Sequence, residues 1–271
     1  MQKYNIFPEP QRKILSFPFF FVFLHAKEQT MKQKALFFII SMFLLATNGF
    51  GQAVNPLAYY NDRDGNALEG TSIDDGEAPL NVRFRPNPSN MGEWIPSYEW
   101  HFIQTKSAES QTPKKLFVRY DEEVEYTFNE SGTYNVYLKT FLKKTDSTTG
   151  TEDTAELDSV TLTITIAESK LEFPNAFSPN DDGINDVYGA KKDYKSIVSF
   201  RAIILNRWGQ KLYEWNDPAG GWDGTYNGND VKQGVYYVFV QAKGADGKDY
   251  KIRKDVNLLR GYTENKNTGD E

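Results

Sequence analysis

The chain has 271 residues, a formal net charge of −6 and no cysteine. That length allows one or two domains with real hydrophobic cores, while the missing cysteines exclude disulfides, thiolate metal sites, a cysteine nucleophile and a lipid-modified N-terminal Cys. The acidic balance argues against nucleic acid, whose phosphates require a basic face, and with only His25 and His101 there is little room for His-dependent catalysis or a multi-histidine metal centre.

Residues 1–53 read as a leader outside the fold. Met31 opens a segment with Lys32 and Lys34 as its positive end, the apolar run Ala35–Ala46 (ALFFIISMFLLA) and then the small, polar TNGFGQA. This is the three-part pattern of a secretory signal. The run is too short for a permanent anchor, which needs about 20 apolar residues to cross about 30 Å of hydrocarbon, so no transmembrane anchor is expected in the mature chain. Cleavage is expected near Gly51 or Ala53. Residues 1–30 hold a second apolar patch, FPFFFVFL at 17–24, broken by Pro18. Two signals in tandem have no physical use, so 1–30 reads as upstream mistranslation and 31–53 as the signal peptide, the alternative being one long, unusual leader.

From residue 54 a period of two dominates, and no segment keeps a 3.6-residue apolar stripe. In VTLTITI (160–166), Val160, Leu162, Ile164 and Ile166 share one face and three threonines the other. TYNVYLKTFL (133–142) puts Tyr134, Val136 and Leu138 on one side, and LNVRF (80–84), SYEWHF (97–102), KLFVRY (115–120) and VEYTF (124–128) continue the pattern. About seven short strands with Gly, Pro and Asn between them predict a β-sandwich over 54–169. NDRDGN (61–66), TSIDDGE (71–77) and the polar 143–159 are expected to be surface loops. In SYEWHF the parity sets Tyr98 and Trp100 against Glu99 and His101, which places His101 on the solvent side.

A second sandwich is expected over 172–262. RAIILN (201–206) and VYYVFV (235–240) are apolar on both faces and read as central strands, with KDVNLL (254–259) beside them. Ala245-Asp246-Gly247 and Asn227-Gly228 read as tight turns, since Gly and Asn supply positive φ. Trp208-Gly209 predicts a hairpin with a packed indole; Trp222, Asp223 and Gly224 predict an anchor, a turn-capping side chain and a residue at positive φ. The tail 263–271 has nothing to bury and is expected to be disordered.

FPNAFSPNDDGINDVY (173–188), NRWGQKLYE (206–214), GWDGTYNG (221–228), QGVYYVFV (233–240) and VNLLR (256–260) together resemble the gliding-motility-associated C-terminal domain, the type B sorting domain of type IX secretion in Bacteroidota. The resemblance implies a small β-sandwich that serves export or surface attachment and does no catalysis. More loosely, APLNVRF, SYEWHF and YTFNESGTYNVYL resemble the PKD-type, immunoglobulin-like domain, although Ile103-Gln104-Thr105 stands where that family usually has Gly-Asp-Gly. These readings give an all-β chain of two small immunoglobulin-like sandwiches in tandem after a secretory leader.

The best cation candidate is NDDGIND, where Asn180, Asp182, Asn185 and Asp186 present the oxygens calcium requires around a turn made by Gly183. The same side chains are better suited to capping backbone N–H groups in a tight turn, since Ser178 and Gly189 stand where a full calcium loop would have acids. Trp94, Tyr59 and Tyr60 are the aromatic side chains expected to face a ligand. The expected function is that of a non-catalytic interaction or adhesion protein, secreted or on the outer cell surface. Its expected partners are export machinery, surface components, a glycan or another surface protein. A glycan-binding accessory protein and a structural subunit of a surface assembly are the alternatives.

Overall fold

The computed structural model describes residues 51–261, which contain only strands, turns and irregular connections and no helix. The signal and upstream segment, apart from 51–53, and the tail at 263–271 lie outside the described residues. In chain order the first half comprises β1 (Ala53–Val54), β2 (Leu57–Asn61), β3 (Ala67–Gly70), β4 (Ser72–Gly76), β5 (Leu80–Arg85) and β6 (Pro88–Ser89). It continues with β7 (Ile95–Ser107), β8 (Lys114–Arg119), β9 (Val124–Phe128), β10 (Gly132–Thr145) and β11 (Glu152–Ile166).

Two sheets, ordered β4-β11-β10-β7-β8 and β3-β2-β5-β9, enclose the first core, and β1 pairs with β6. Alternation decides which side chains enter it. Leu80, Val82 and Phe84 from one sheet meet Tyr98, Trp100 and Phe102 from the other. Phe84 stands edge-on to Phe102, at 5.4 Å and 84°, a favoured aromatic geometry. Trp100 is fully buried and donates its indole N–H to Asp121 O at 3.1 Å, so its one polar group is satisfied.

Two expected loops are strands. Ser72–Gly76 is an edge strand, parallel to β11, with Ile73 in the core; one inward apolar residue and an adjacent ladder suffice where the acids face water. The polar stretch 143–159 is mostly paired backbone: Lys143 faces Thr154, and Thr145 faces Glu152. Both faces are wet there, so side chains give no apolar alternation, and the ladder hydrogen bonds set the conformation. Only the tip at 146–151 turns. Asp146 Oδ1 accepts from the N–H groups of Thr148 (2.7 Å) and Thr149 (2.9 Å).

The second half comprises β12 (Ala176–Phe177), β13 (Tyr188–Gly189), β14 (Ile197–Leu205), β15 (Lys211–Trp215), β16 (Gly221–Trp222), β17 (Thr225–Tyr226), β18 (Asn229–Asp230), β19 (Gly234–Gly244) and β20 (Asp249–Leu258). β12-β20-β19-β14-β15 form one sheet with β19 and β14 internal, and the pairs β13-β16 and β17-β18 stand apart from it. The inner face of the large sheet buries Ala202, Ile204, Val238 and Val240, and Tyr188 and Trp222 close over them.

The chain passes from the first core to the second between Ile166 and Leu171. The two halves are nonetheless joined far from that link. Ala245, in the β19–β20 turn, belongs to the first core; its carbonyl accepts from Ser131 N (3.0 Å), and its N–H donates to Ser196 O (2.9 Å). Ser196 Oγ in turn accepts from Ala78 N at 3.2 Å. Ser169 donates its hydroxyl to Asp246 Oδ1 at 2.7 Å. The described residues lie in one compact unit accordingly.

Candidate functional site

The loop 178–186 is held by its own side chains. Asp186 Oδ1 accepts from the N–H groups of Asn180 and Asp181, both at 2.9 Å, and its Oδ2 accepts from Gly183 N at 2.8 Å. Asp182 Oδ1 accepts from Ile184 N (2.8 Å), and Asn180 Oδ1 accepts from Asp182 N (3.2 Å). Asp181, Gly183 and Asn185 all take positive φ, so the backbone curls around the Asp186 carboxylate. Those N–H groups, Asn180 first, hold Asp186 below the usual carboxylate range. Of the four side chains proposed for calcium, Asn180, Asp182 and Asp186 thus cap backbone N–H groups of the loop.

This arrangement makes two predictions. Because the folded pKa of Asp186 is depressed, its contribution is complete above the ordinary carboxylate pKa and is lost as pH falls below it. Glu214 behaves the same way, held at about 2 by hydrogen bonds from Arg201 and Lys211. Thermal melts should therefore show a midpoint falling as pH is taken from neutral to about 3. Asp186→Ala should lower the neutral-pH midpoint and flatten that fall, whereas adding a chelator to the unsubstituted protein should leave its midpoint in place.

Trp208 corrects the expectation of a packed indole. It is 77% exposed at the tip of the β14–β15 hairpin. Asn206 Oδ1 fixes the turn by accepting from Trp208 N (2.9 Å) and Gln210 N (3.1 Å), with Gly209 at φ 79°. A turn closed by an Asn cap and a glycine needs no indole beneath it, and the ring projects outward with the Arg207 guanidinium 4.6 Å from its centroid. Trp222 is the opposite case. It is fully buried, donates its indole N–H to Thr225 O at 2.7 Å, and lies 5.1 Å from the Tyr236 ring. Asp223 Oδ1 accepts from Thr225 N at 2.9 Å, and Gly224 takes φ 82°. The carbonyl of Gly224 accepts from Arg260 Nη2 at 2.7 Å, a clamp that the sequence pattern did not single out.

Tyr59, Tyr60 and Trp94 are not brought together. Tyr59 and Tyr60 are successive on β2 and point to opposite faces. The Arg85 guanidinium lies 5.0 Å from the Tyr59 ring centroid, while Tyr60 packs against the first core. Trp94 is half-buried just before β7, in the other sheet, with its N–H on Met91 O at 2.9 Å.

A hollow of about 460 Å³ lies instead where the two halves meet, lined by Tyr60, Asp62, Arg63, Glu77, Tyr194 and Asp217 among others. Arg63 organises it. It donates to Glu77 Oε2 (3.1 Å), Lys192 O (3.0 Å) and Tyr194 O, and its guanidinium lies 4.6 Å from the Tyr194 ring centroid. Lys195 pairs with Asp75 at the same junction. Burial pushes the Glu77 carboxyl up, against the pull of Arg63, and burial followed by the charges of Asp62 and Asp74 pushes the Tyr60 hydroxyl up. Two phenol groups beside carboxylates and a guanidinium suit a polyhydroxylated ligand, since they line the hollow with hydrogen-bond donors and acceptors next to apolar carbon. Tyr60 was legible in sequence; Arg63, Glu77 and Tyr194 were not, because they converge only when the halves meet. His101 lies on the outward side of β7, its Nε2 3.0 Å from Glu99 Oε2. Among the described residues no three His, Asp or Glu side chains are grouped to hold a metal ion.

Residues 171–254 match the family model CHU_C, described as the type IX secretion signal domain. This part of the chain is a sorting domain, and the protein is exported, to the medium or to the outer surface of its cell. Among the described residues no helix is long and apolar enough to cross a membrane. No curated protein matches the chain. Among solved structures it is similar to the Bacteroides ovatus mixed-linkage glucan utilization locus protein SGBP-B, in complex with a mixed-linkage heptasaccharide. That match has 13% identity over 69% of this chain and 42% of that one, with a TM-score of 0.18. It is similar also to the FN1–FN3 domains of chicken CNTN1, at 12% identity over 74% of this chain and 77% of that one, with a TM-score of 0.19. The chain thus spans 42% of the length of the first of these. Superpositions this loose carry no argument about ligand or fold; the all-β class rests on the strands themselves.

Proposed function

We propose that the protein is an exported, non-catalytic binding protein, with residues 54–169 as an immunoglobulin-like passenger and 172–262 as the handle by which it leaves the cell or is held outside it. The match of residues 171–254 to the type IX secretion signal domain carries this reading. It is supported by a passenger in which Phe84, Tyr98, Trp100, Phe102 and Phe128 fill a core and whose one histidine is turned outward onto Glu99. Fractionation of the native host tests it. The chain is expected outside the cell with its leader removed; intact chain in the cytoplasm would refute the proposal. Purified protein is expected to release no product from a panel of polysaccharides and peptides, and turnover of any of them would make it an enzyme.

A glycan ligand is the second reading, favoured by the hollow that sets Tyr60 and Tyr194 beside Asp62, Glu77 and Arg63. Binding on a glycan array is then expected to drop at least about tenfold with Tyr60→Ala, the loss of one wall of the hollow. Trp94→Ala should leave binding unchanged, because Trp94 does not line the hollow. A flat array with the unsubstituted protein would remove this reading.

A further inference from the structure

The outer face of the sorting domain's five-stranded sheet carries an apolar stripe with a basic border. Residues directly opposite in an antiparallel ladder share a face. Ile203 faces Phe239 and Leu205 faces Tyr237 across β14 and β19, and Val235 lies two residues before Tyr237. All have the parity opposite to Ile204, Val238 and Val240, which fill the core. Val235 and Tyr237 are 48% and 43% exposed, and the outward Trp208 stands at the tip of the hairpin that follows Leu205. A hollow of about 210 Å³ opens on this face between Ile203, Phe239, Arg201, Lys251 and Arg253.

The charges around the stripe run against those of the chain. Arg201, Lys211, Lys243, Lys251 and Arg253 occupy outward positions of the same registers, against Glu214, Asp249 and Asp255, and Glu214 pairs with both Arg201 and Lys211. Arg253 lies 5.7 Å from the Phe239 ring centroid, and Arg207 lies over Trp208. On a chain of net charge −6 this face holds more cations than acids, with the Arg253 guanidinium beside the Phe239 ring. Tyr237 and Arg253 on this face, and Trp208 at the tip of the adjoining hairpin, are of the kinds that carry binding energy at protein interfaces. A guanidinium stacked on a ring keeps its edge donors for carboxylates.

We propose that this face is the docking surface of the sorting domain, and that its partner is a protein of the export route presenting carboxylates around an apolar centre. The inference rests on the export reading, and its test separates the two. The full chain is expressed in a bacterium with type IX secretion, and the fraction outside the cell is measured by immunoblot. Two variants remove the face: Trp208→Ser with Tyr237→Ser, and Arg201→Glu with Arg253→Glu. Each is expected to cut that fraction about tenfold or more, since like charges and lost anchors disfavour encounter and residence. Arg201→Lys with Arg253→Lys, which keeps the charge, should stay within about twofold.

Melting midpoints of the purified full chains identify any variant that fails to fold. Trp208→Ser alone, at a site already in water, gives a variant that folds and should still reduce export. Export of the folded variants at the unsubstituted level would overturn the docking face. Export of the unsubstituted chain from cells whose type IX machinery is disabled would instead overturn the export reading. Concentration-dependent dimerisation abolished by the same substitutions, with export intact, would assign the face to a second copy and overturn the proposed partner.

Discussion

Trp222→Ala should destabilise the protein by about 3–5 kcal/mol, the range for removing a fully buried indole. The ring is packed between Phe177 and Tyr236, at centroid distances of 5.4 and 5.1 Å. Its loss leaves a cavity that paired strands on either side cannot close, because β16 is fixed to β13 by Tyr188 facing Trp222. It also strands the Thr225 carbonyl that accepts the indole N–H, adding the penalty of an unmade hydrogen bond. Trp208→Ala should change stability by no more than about 0.5 kcal/mol, as for an ordinary surface substitution. Chemical denaturation followed by circular dichroism reads both. Equal effects at the two tryptophans would contradict the burial difference between them. If a folded sorting domain is what the export route recognises, Trp222→Ala should also reduce the exported fraction, through unfolding rather than through lost contact.

The second large effect is expected at the junction. Ala245→Asp should cost about 3 kcal/mol or more, since it places a carboxylate with no cationic partner in the first core. Ala245 is 7% exposed, with its N–H and carbonyl already committed to Ser196 and Ser131. The unsubstituted chain should unfold in one transition, seen at the same denaturant concentration by tryptophan fluorescence and by circular dichroism, because each core leans on the other through this turn. In Ala245→Asp the two probes should separate as the halves uncouple, which is the ordinary sign of lost two-state behaviour. Coincident curves with an unchanged midpoint would show that the halves are independent. Ala245→Gly, which removes a methyl group without adding charge, should cost roughly 1 kcal/mol by the same measure.

The coupling bears on how the sorting domain relates to its passenger. The two halves share hydrogen bonds from Ser169 to Asp246, from Ser131 to Ala245 and from Ala78 to Ser196. Gly244 has no room for a side chain there: a Cβ would lie 2.1 Å from Ser169 Oγ. The turn that ends the longest hairpin of the sorting domain is therefore also a wall of the passenger core. The Arg63 clamp onto Tyr194 and Lys192 and the hollow beside it are products of the same docking.

The all-β class, the inward faces of β5, β7, β10 and the end of β11, the central places of β14 and β19, and the turns at 227–228 and 245–247 were all legible in the sequence. Each is a local matter: alternation selects a face, apolarity on both faces selects an interior strand, and positive φ selects Asn and Gly. The family blocks carried the export function because they are contiguous runs. What the tertiary structure decided is whatever depends on a partner elsewhere in the chain. Residues 143–159 and 72–76 became strands because a neighbouring ladder paired their backbone, which no side-chain pattern announces. Trp208 and Trp222 have similar local sequences, an indole near a turn glycine, yet one projects into water and one is buried, because only Trp222 has Phe177 and Tyr236 to pack against. The carboxylates of NDDGIND suit a cation as well as a turn when read as a string; only the folded loop shows the Asp186 and Asp182 carboxylates accepting from its backbone N–H groups. Arg63, Glu77 and Tyr194 lie far apart along the chain and acquire a common site only where two cores, each legible alone, are brought into contact.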